Sequence, residues 1–195
     1  MSQIHFGTLC FSMMAIFISI HSPFAESNSG TVNFSGSVSA PTCTVSGSAG
    51  ASGSGNGIIV SMGDVPITEL TSGNWVGAHS KPFVLTALCP GNMAGYTRTR
   101  FTFNAPGGSG VDPNDTRMLR LSAGSRATGV AIGVYVSGSF APLNMSAAPS
   151  TTGNFVASGG NSTARIDLRA QYKRTSATPM AGSASARLPL TLTYE

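Results

Sequence analysis

The stretch GSASARLPLTLTYE, Gly182 to Glu195, alternates with a period of two along its whole length. Ala184, Ala186, Leu188, Leu190, Leu192 and Tyr194 fall on one side of an extended chain. Ser183, Ser185, Arg187, Pro189, Thr191, Thr193 and Glu195 fall on the other. Such alternation marks a β-strand with one buried and one wet face. Chain ends fray unless something ties them down, yet this pattern stays in register to the last residue. No turn follows to bring the chain back beside it. The pattern therefore predicts a strand that some neighbour must use.

The same period recurs upstream. Thr31–Ala40 alternates Val32, Phe34, Gly36, Val38 and Ala40, and Lys81–Cys89 places Phe83, Leu85, Ala87 and Cys89 on one face. Arg98–Asn104 turns Phe101 and Phe103 inward, and Ala164–Tyr172 turns Ile166, Leu168, Ala170 and Tyr172 the same way. Thr128–Val136 is apolar almost throughout, as a central strand should be. Ile58–Gly63 and Arg117–Leu121 read as short strands, Ser46–Gly57 as a low-complexity loop, and Val65–Leu70 as a turn. Only 9% of the residues are charged while 41% are hydrophobic, which excludes a disordered chain. About eight strands with turn-rich breaks predict an all-β fold, a two-layer sandwich.

Residues 1–25 form a separate unit. Leu9–Ile20 is an apolar core of signal-peptide length, followed by HSPFA and a cut after Ala25. It is too short for a membrane span, although no Lys or Arg precedes it. Cys10 leaves with the signal. Cys43 and Cys89 remain, an even pair in an exported chain, for which a disulfide is the default reading and two buried free thiols the alternative. The net charge of +4 rests on scattered arginines, several alternating with apolar residues in strands. That distribution fits a solvated sheet face rather than a nucleic-acid surface, so no nucleic-acid partner is expected.

Removing the signal leaves His79 as the only histidine, which disfavours a Ser-His-Asp triad and excludes a multi-histidine metal site. Asp112 and Asp115 resemble part of a calcium loop but lack its spacing and its bidentate Glu, so a turn is the better reading. The glycine-rich Ser46–Gly57 has no phosphate-binding pattern. Trp75 could stack on a sugar or fold onto the sandwich. No catalytic residue, metal or cofactor is expected.

Taken together, GTVNFSGSVSAPTCTV, KPFVLTALC, GVAIGVYVSGSFAPL and the closing ARIDLRAQYKRTSATPMAGSASARLPLTLTYE resemble the subunits of bacterial chaperone–usher pili, the type 1 fimbrial pilin family. Gly36 ahead of Cys43, Gly182 and the penultimate Tyr194 are similar to that family's signatures. The resemblance implies an incomplete immunoglobulin-like β-sandwich lacking its last strand, completed by donor-strand exchange. It divides the chain into signal 1–25, donor extension 26–41 and pilin domain 42–195. It implies that Val32, Phe34, Gly36, Val38 and Ala40 are the donor strand. Gly182, Ala184, Ala186, Leu188, Leu190, Leu192 and Tyr194 would then edge a groove for a periplasmic pilus chaperone or a neighbouring pilus subunit. An outer-membrane usher would assemble the fibre at the cell surface, in support of adhesion to a receptor that the sequence leaves open. Chaperone–pilin pairing is itself a known instance of strand addition.

Two departures bear on this expectation. Only Glu26–Gly30, a polar stretch, precedes Thr31, so the outermost pocket of an acceptor would be poorly filled. Pro189 lacks an N–H, and the side facing the donor is the expected place of the missing bond. Eight methionines and the short extension favour a minor or adaptor subunit over the main shaft subunit, which stays as the alternative. A free-standing secreted sandwich that binds carbohydrate through Trp75 is the further alternative.

Overall fold

The computed structural model describes residues 42–73 and 76–195. The signal segment, the donor residues Val32, Phe34, Gly36, Val38 and Ala40, and Trp75 lie outside the described residues. Ten strand segments follow one another: β1 (Thr44–Ser48), β2 (Ala51–Ser52), β3 (Ile59–Val60), β4 (Lys81–Pro90), β5 (Arg98–Phe103), β6 (Leu119–Arg120), β7 (Val130–Val136), β8 (Ser150–Ser158), β9 (Asn161–Arg174) and β10 (Leu190–Tyr194). The expected turn at Val65–Leu70 is a short 3-10 helix, Ile67–Glu69.

All described strand pairs are antiparallel, and β9 is the hub. It lies against β4 from Asn161 to Ala170, against β8 over its first residues and against β7 from Leu168 to Arg174. β1 extends this layer beyond β4 and β6 extends it beyond β7. The second layer is β8, β5 and β10. β8 serves both layers, because Ser150–Asn154 pair with β5 and Phe155–Ser158 pair with β9. At this crossing a side chain at Gly153 would put its Cβ 2.7 Å from the Arg165 carbonyl oxygen, so only glycine lets the backbones come that close.

The alternation of the sequence explains the packing. Phe83, Leu85, Ala87, Phe101, Phe103, Ile132, Val134, Ile166, Leu168 and Ala170 are all buried in one cluster between the layers. Cys43, just ahead of β1, is bonded to Cys89 near the end of β4, tying together two neighbouring strands. β8 was not read as a strand from the sequence, since most of it is exposed, and three boundaries also differ from the sequence reading. The stretch Ser46–Gly57 is not a plain loop, since β1 runs into it and β2 turns back against β3. Only Ile59 and Val60 of Ile58–Gly63 form a ladder. The final strand is a regular ladder only over Leu190–Tyr194, because Ser183–Pro189 bond to loop segments rather than to a strand.

Candidate strand-binding groove

Along the final segment the odd residues turn their backbone groups inward. The Arg126 and Ala127 N–H groups donate to the Ser183 carbonyl at 2.8 and 3.0 Å, and Ser122 N–H donates to the Ser185 carbonyl at 2.7 Å. Ser109 N–H donates to the Arg187 carbonyl at 2.9 Å, and Asn104 N–H to the Pro189 carbonyl at 2.8 Å. In an extended chain the backbone groups of successive residues point to opposite sides. Ala184, Ala186, Leu188, Leu190, Leu192 and Tyr194 therefore direct theirs to the outer edge, where no strand of the described residues pairs with β10.

This geometry corrects the expectation for Pro189. Its carbonyl accepts from Asn104, so its nitrogen also lies on the β5 side. The hydrogen bond that proline cannot make is lost inside the fold, and the outer edge keeps its full set of donors.

The side chains of Ala184, Ala186, Leu188 and Leu190 line a cleft of about 490 Å³. One lip is Ile58–Gly63 and the other runs through Ala184, Ala186, Leu188 and Leu190. Phe83, Leu85, Phe103, Leu119, Ile132, Val134, Ala170 and Tyr172 form its floor. These floor residues belong largely to the core cluster itself. The cleft therefore opens between the two lips onto the core cluster, most of whose floor side chains are themselves buried. A second chamber of about 270 Å³ adjoins it, lined among others by Asp64, Val65, Ile67, Val130, Met180 and Gly182. Tyr172 lines both, and its hydroxyl donates to the Ala184 carbonyl at 2.8 Å.

Of the residues singled out in the sequence, Gly182, Ala184, Ala186, Leu188 and Leu190 line the two chambers. Leu192 packs against the core but lies outside both linings. Tyr194 closes the far end of the sandwich. Its ring meets Tyr96 edge-on at 5.9 Å and Phe155 at 6.5 Å, and its hydroxyl accepts from Cys43 N–H at 3.2 Å. The lip Ile58–Gly63 and the divider Tyr172 were not assigned to the groove from the sequence. The alternation of Ile58, Val60 and Met62 was the signal available for the lip.

The end of the strand is held by charge. Glu195 accepts from Arg100 Nε at 2.5 Å and from Arg98 Nε at 2.8 Å. Hydrogen bonding from Arg100, opposed by some desolvation and reinforced by Arg98, keeps its carboxyl below the ordinary glutamate range. On the outward side of β9, Lys173 is buried and its Nζ donates to Thr71 Oγ1 at 2.9 Å, while Gln171 Oε1 accepts from Gly77 N–H at 2.7 Å. Burial lowers the Lys173 pKa. These bonds tie Thr71 and Gly77 to the sheet.

The remaining candidates have structural partners. Asp112 Oδ1 accepts from the Asn114 and Asp115 N–H groups at 2.9 and 3.1 Å, forming a turn, and Asp115 pairs with Arg117 at 2.8 Å. His79 contacts Glu69. Among the described residues no three of His, Cys, Asp and Glu gather as metal ligands would.

Comparison with known proteins adds the following. The family model described as "Fimbrial protein" matches residues 32–195. No curated protein matches the chain. A Burkholderia pseudomallei antigen and type I fimbria protein is 23% identical, with 70% of this chain and 81% of that one covered at a TM-score of 0.48. The P pilus rod subunit PapA is 17% identical, with 85% of this chain and all (100%) of that one covered at a TM-score of 0.46. The CupB6 tip adhesin from Pseudomonas aeruginosa is 19% identical at a TM-score of 0.41, and the match spans 58% of this chain and 30% of the adhesin.

Proposed function

Because this chain belongs to the fimbrial protein family, we propose that it is a non-enzymatic structural subunit of a chaperone–usher pilus, whose groove takes a β-strand from another molecule. The observation that carries the reading is the cleft of about 490 Å³ beside an edge whose outward backbone groups meet no strand among the described residues. A strand laid between the two lips would gain ladder hydrogen bonds from the edge. Its alternate side chains would cover the floor, each large one contributing on the order of 1.5–3 kcal/mol. An uncovered apolar edge of this kind promotes aggregation, so the chain needs an occupant at every stage.

In this reading a periplasmic chaperone supplies the first occupant, and the donor segment of a neighbouring subunit replaces it at the outer-membrane usher. Val32, Phe34, Val38 and Ala40 of this chain would fill a neighbour's groove in the same way, with Gly36 giving a point of close approach. The even residues Gly182 to Tyr194 form the accepting edge. The Cys43–Cys89 bond joins two strands of the accepting domain. The short, polar Glu26–Gly30 favours a minor or adaptor position over the main shaft, and counting subunits in purified pili decides between them.

The direct test is expression of residues 26–195 with and without the cognate chaperone. The expected result is a soluble 1:1 complex with it and aggregation without it, and deletion of Leu188–Glu195 should abolish the complex. Phe34→Arg should leave the chaperone complex intact and block insertion into the next subunit. A stable, monodisperse monomer without chaperone would overturn the reading.

A further inference from the structure

We propose that the row Leu88, Thr163 and Val156, beside the Cys43–Cys89 bond, is the face by which this domain seats on the subunit that holds its donor segment, with a second copy of this chain as the occupant. The inference rests on the strand-accepting reading above and adds a contact between domains to the borrowed strand.

The row follows from the register. Leu88 of β4 lies opposite Thr44 on one side and Thr163 on the other, and Thr163 lies opposite Val156 of β8. The neighbours Ala87, Cys89 and Ala164 are buried. The alternation of a strand therefore turns Leu88, Thr163 and Val156 to the outer face. Two strand spacings put Leu88 and Val156 about 10 Å apart, with only Thr163 between them. They stay 45% and 63% exposed. The next row, Thr86 and Arg165, is polar, as the rim around an interface centre is.

Position selects the occupant. Residues 26–41 precede the described domain, and only Pro41 and Thr42 separate Ala40 from Cys43. Three residue steps span about 11 Å at full extension. A groove that holds Thr31–Ala40 is thereby brought within that reach of Cys43, and Leu88 sits one rung across from Thr44. On the other flank of Cys43, the exposed Tyr96 ring lies 5.9 Å from the ring of Tyr194, whose hydroxyl accepts from Cys43 N–H.

Exposed aliphatic and aromatic side chains scattered singly need no account, but these are not scattered. Leu88, Tyr96 and Val156 are three of the six large hydrophobic residues exposed among those described. Ile59 and Met180, two of the others, line the two chambers of the groove. Apolar surface thus gathers where the donor segment departs and where it arrives, and a second copy offers the matching rim.

The test labels side chains with hydroxyl radicals in two forms of residues 26–195. One is the monomer with its groove filled by excess synthetic peptide of residues 26–41. The other is the string of copies formed when chaperone-bound subunits are mixed without peptide. The groove is filled in both, so a difference reports the contact between domains. Labelling of Leu88 and Val156 should fall roughly fivefold in the joined copies, as it does for side chains at the centre of an interface. Unchanged labelling there overturns the inference. Leu88→Ser combined with Val156→Ser should leave peptide release from the monomer unchanged and make joined copies separate roughly tenfold faster, the loss expected from two partly buried aliphatic side chains. An equal acceleration of peptide release traces the effect to the groove and overturns the inference too. The labelling needs only the wild type, so it decides even where the variant fails to fold. Peptide capture without any joining of copies rules out a second copy as the occupant and overturns the inference. No peptide capture by the wild type would instead refute the strand-accepting reading itself.

Discussion

Replacing Gly108 with alanine probes how the groove edge is held in place. The 105–110 turn passes directly beneath Arg187–Pro189. A Cβ at position 108 would sit 2.1 Å from the Arg187 carbonyl oxygen and 2.6 Å from Pro189 Cδ. The first separation is about 1.3 Å short of the 3.4 Å at which ordinary contact begins. Gly108 does not have a left-handed backbone, so the perturbation is steric alone. To make room, the turn and the edge must separate by more than the bonds between them tolerate. Those bonds are Ser109 N–H to the Arg187 carbonyl at 2.9 Å, Asn104 N–H to the Pro189 carbonyl at 2.8 Å, and Arg187 N–H to Ser109 Oγ at 2.7 Å. Losing two or three of them, at about 1 kcal/mol net each, costs about 2–3 kcal/mol. That is a rise of roughly 30- to 150-fold in the open population. Amide exchange at Asn104 and Ser109 should accelerate accordingly, alongside a lower urea midpoint. Gly110→Ala is the control. Gly110 sits at φ +88° with no atom near its missing Cβ, so alanine there adds backbone strain of about 1 kcal/mol or more without pushing on Arg187. Unchanged protection of Asn104 and Ser109 in Gly108→Ala would refute the reasoning.

Replacing both Cys43 and Cys89 with serine opens a link across a sequence separation of 46 and should lower stability by about 4 kcal/mol. Urea midpoints with and without reductant should then differ for the wild type and coincide for the variant. Lys173 has a folded-state pKa below its ordinary 10.5, so the unfolded chain binds more protons between the two values. The stability of the wild type relative to Lys173→Met should therefore rise as pH climbs towards 10.5, and a flat difference across that window contradicts the burial argument. Glu195 has a depressed pKa, so its contribution is present above about 4.5 and is lost as pH falls through the folded value. The difference between wild type and Glu195→Gln in amide exchange at Thr97 and Arg98 should vanish at acid pH and shrink in high salt.

The layers of the sandwich were legible because burial imposes alternation. Phe101 and Phe103, Ile166 and Leu168, and Leu188 and Leu190 declare their facing side without any partner being known. The ends of elements were less legible. Ser183–Pro189 carries the same alternation as Leu190–Tyr194 but meets loops where the latter meets β5, and a loop's donors leave no period in the sequence. Pro189 shows the same limit. That proline removes one bond is evident from its chemistry, whereas which side loses it depends on the parity fixed by Asn104. Tyr172 read correctly as an inward residue of β9. Its hydrogen bond to the Ala184 carbonyl was invisible, because it depends on how the final segment folds back across β9.

The strand β8, shared between the two layers, has a mechanical consequence. Force applied along β10 passes as shear to β5, whose rungs resist together rather than opening one after another. From β5 it travels along the covalent backbone of β8 into the ladder with β9, then to β4 and, through the Cys43–Cys89 bond, to the root of β1. Tension entering at the open edge of β10 thus never has to cross a seam made of side chains alone, and the domain transmits load as a continuous hydrogen-bonded web.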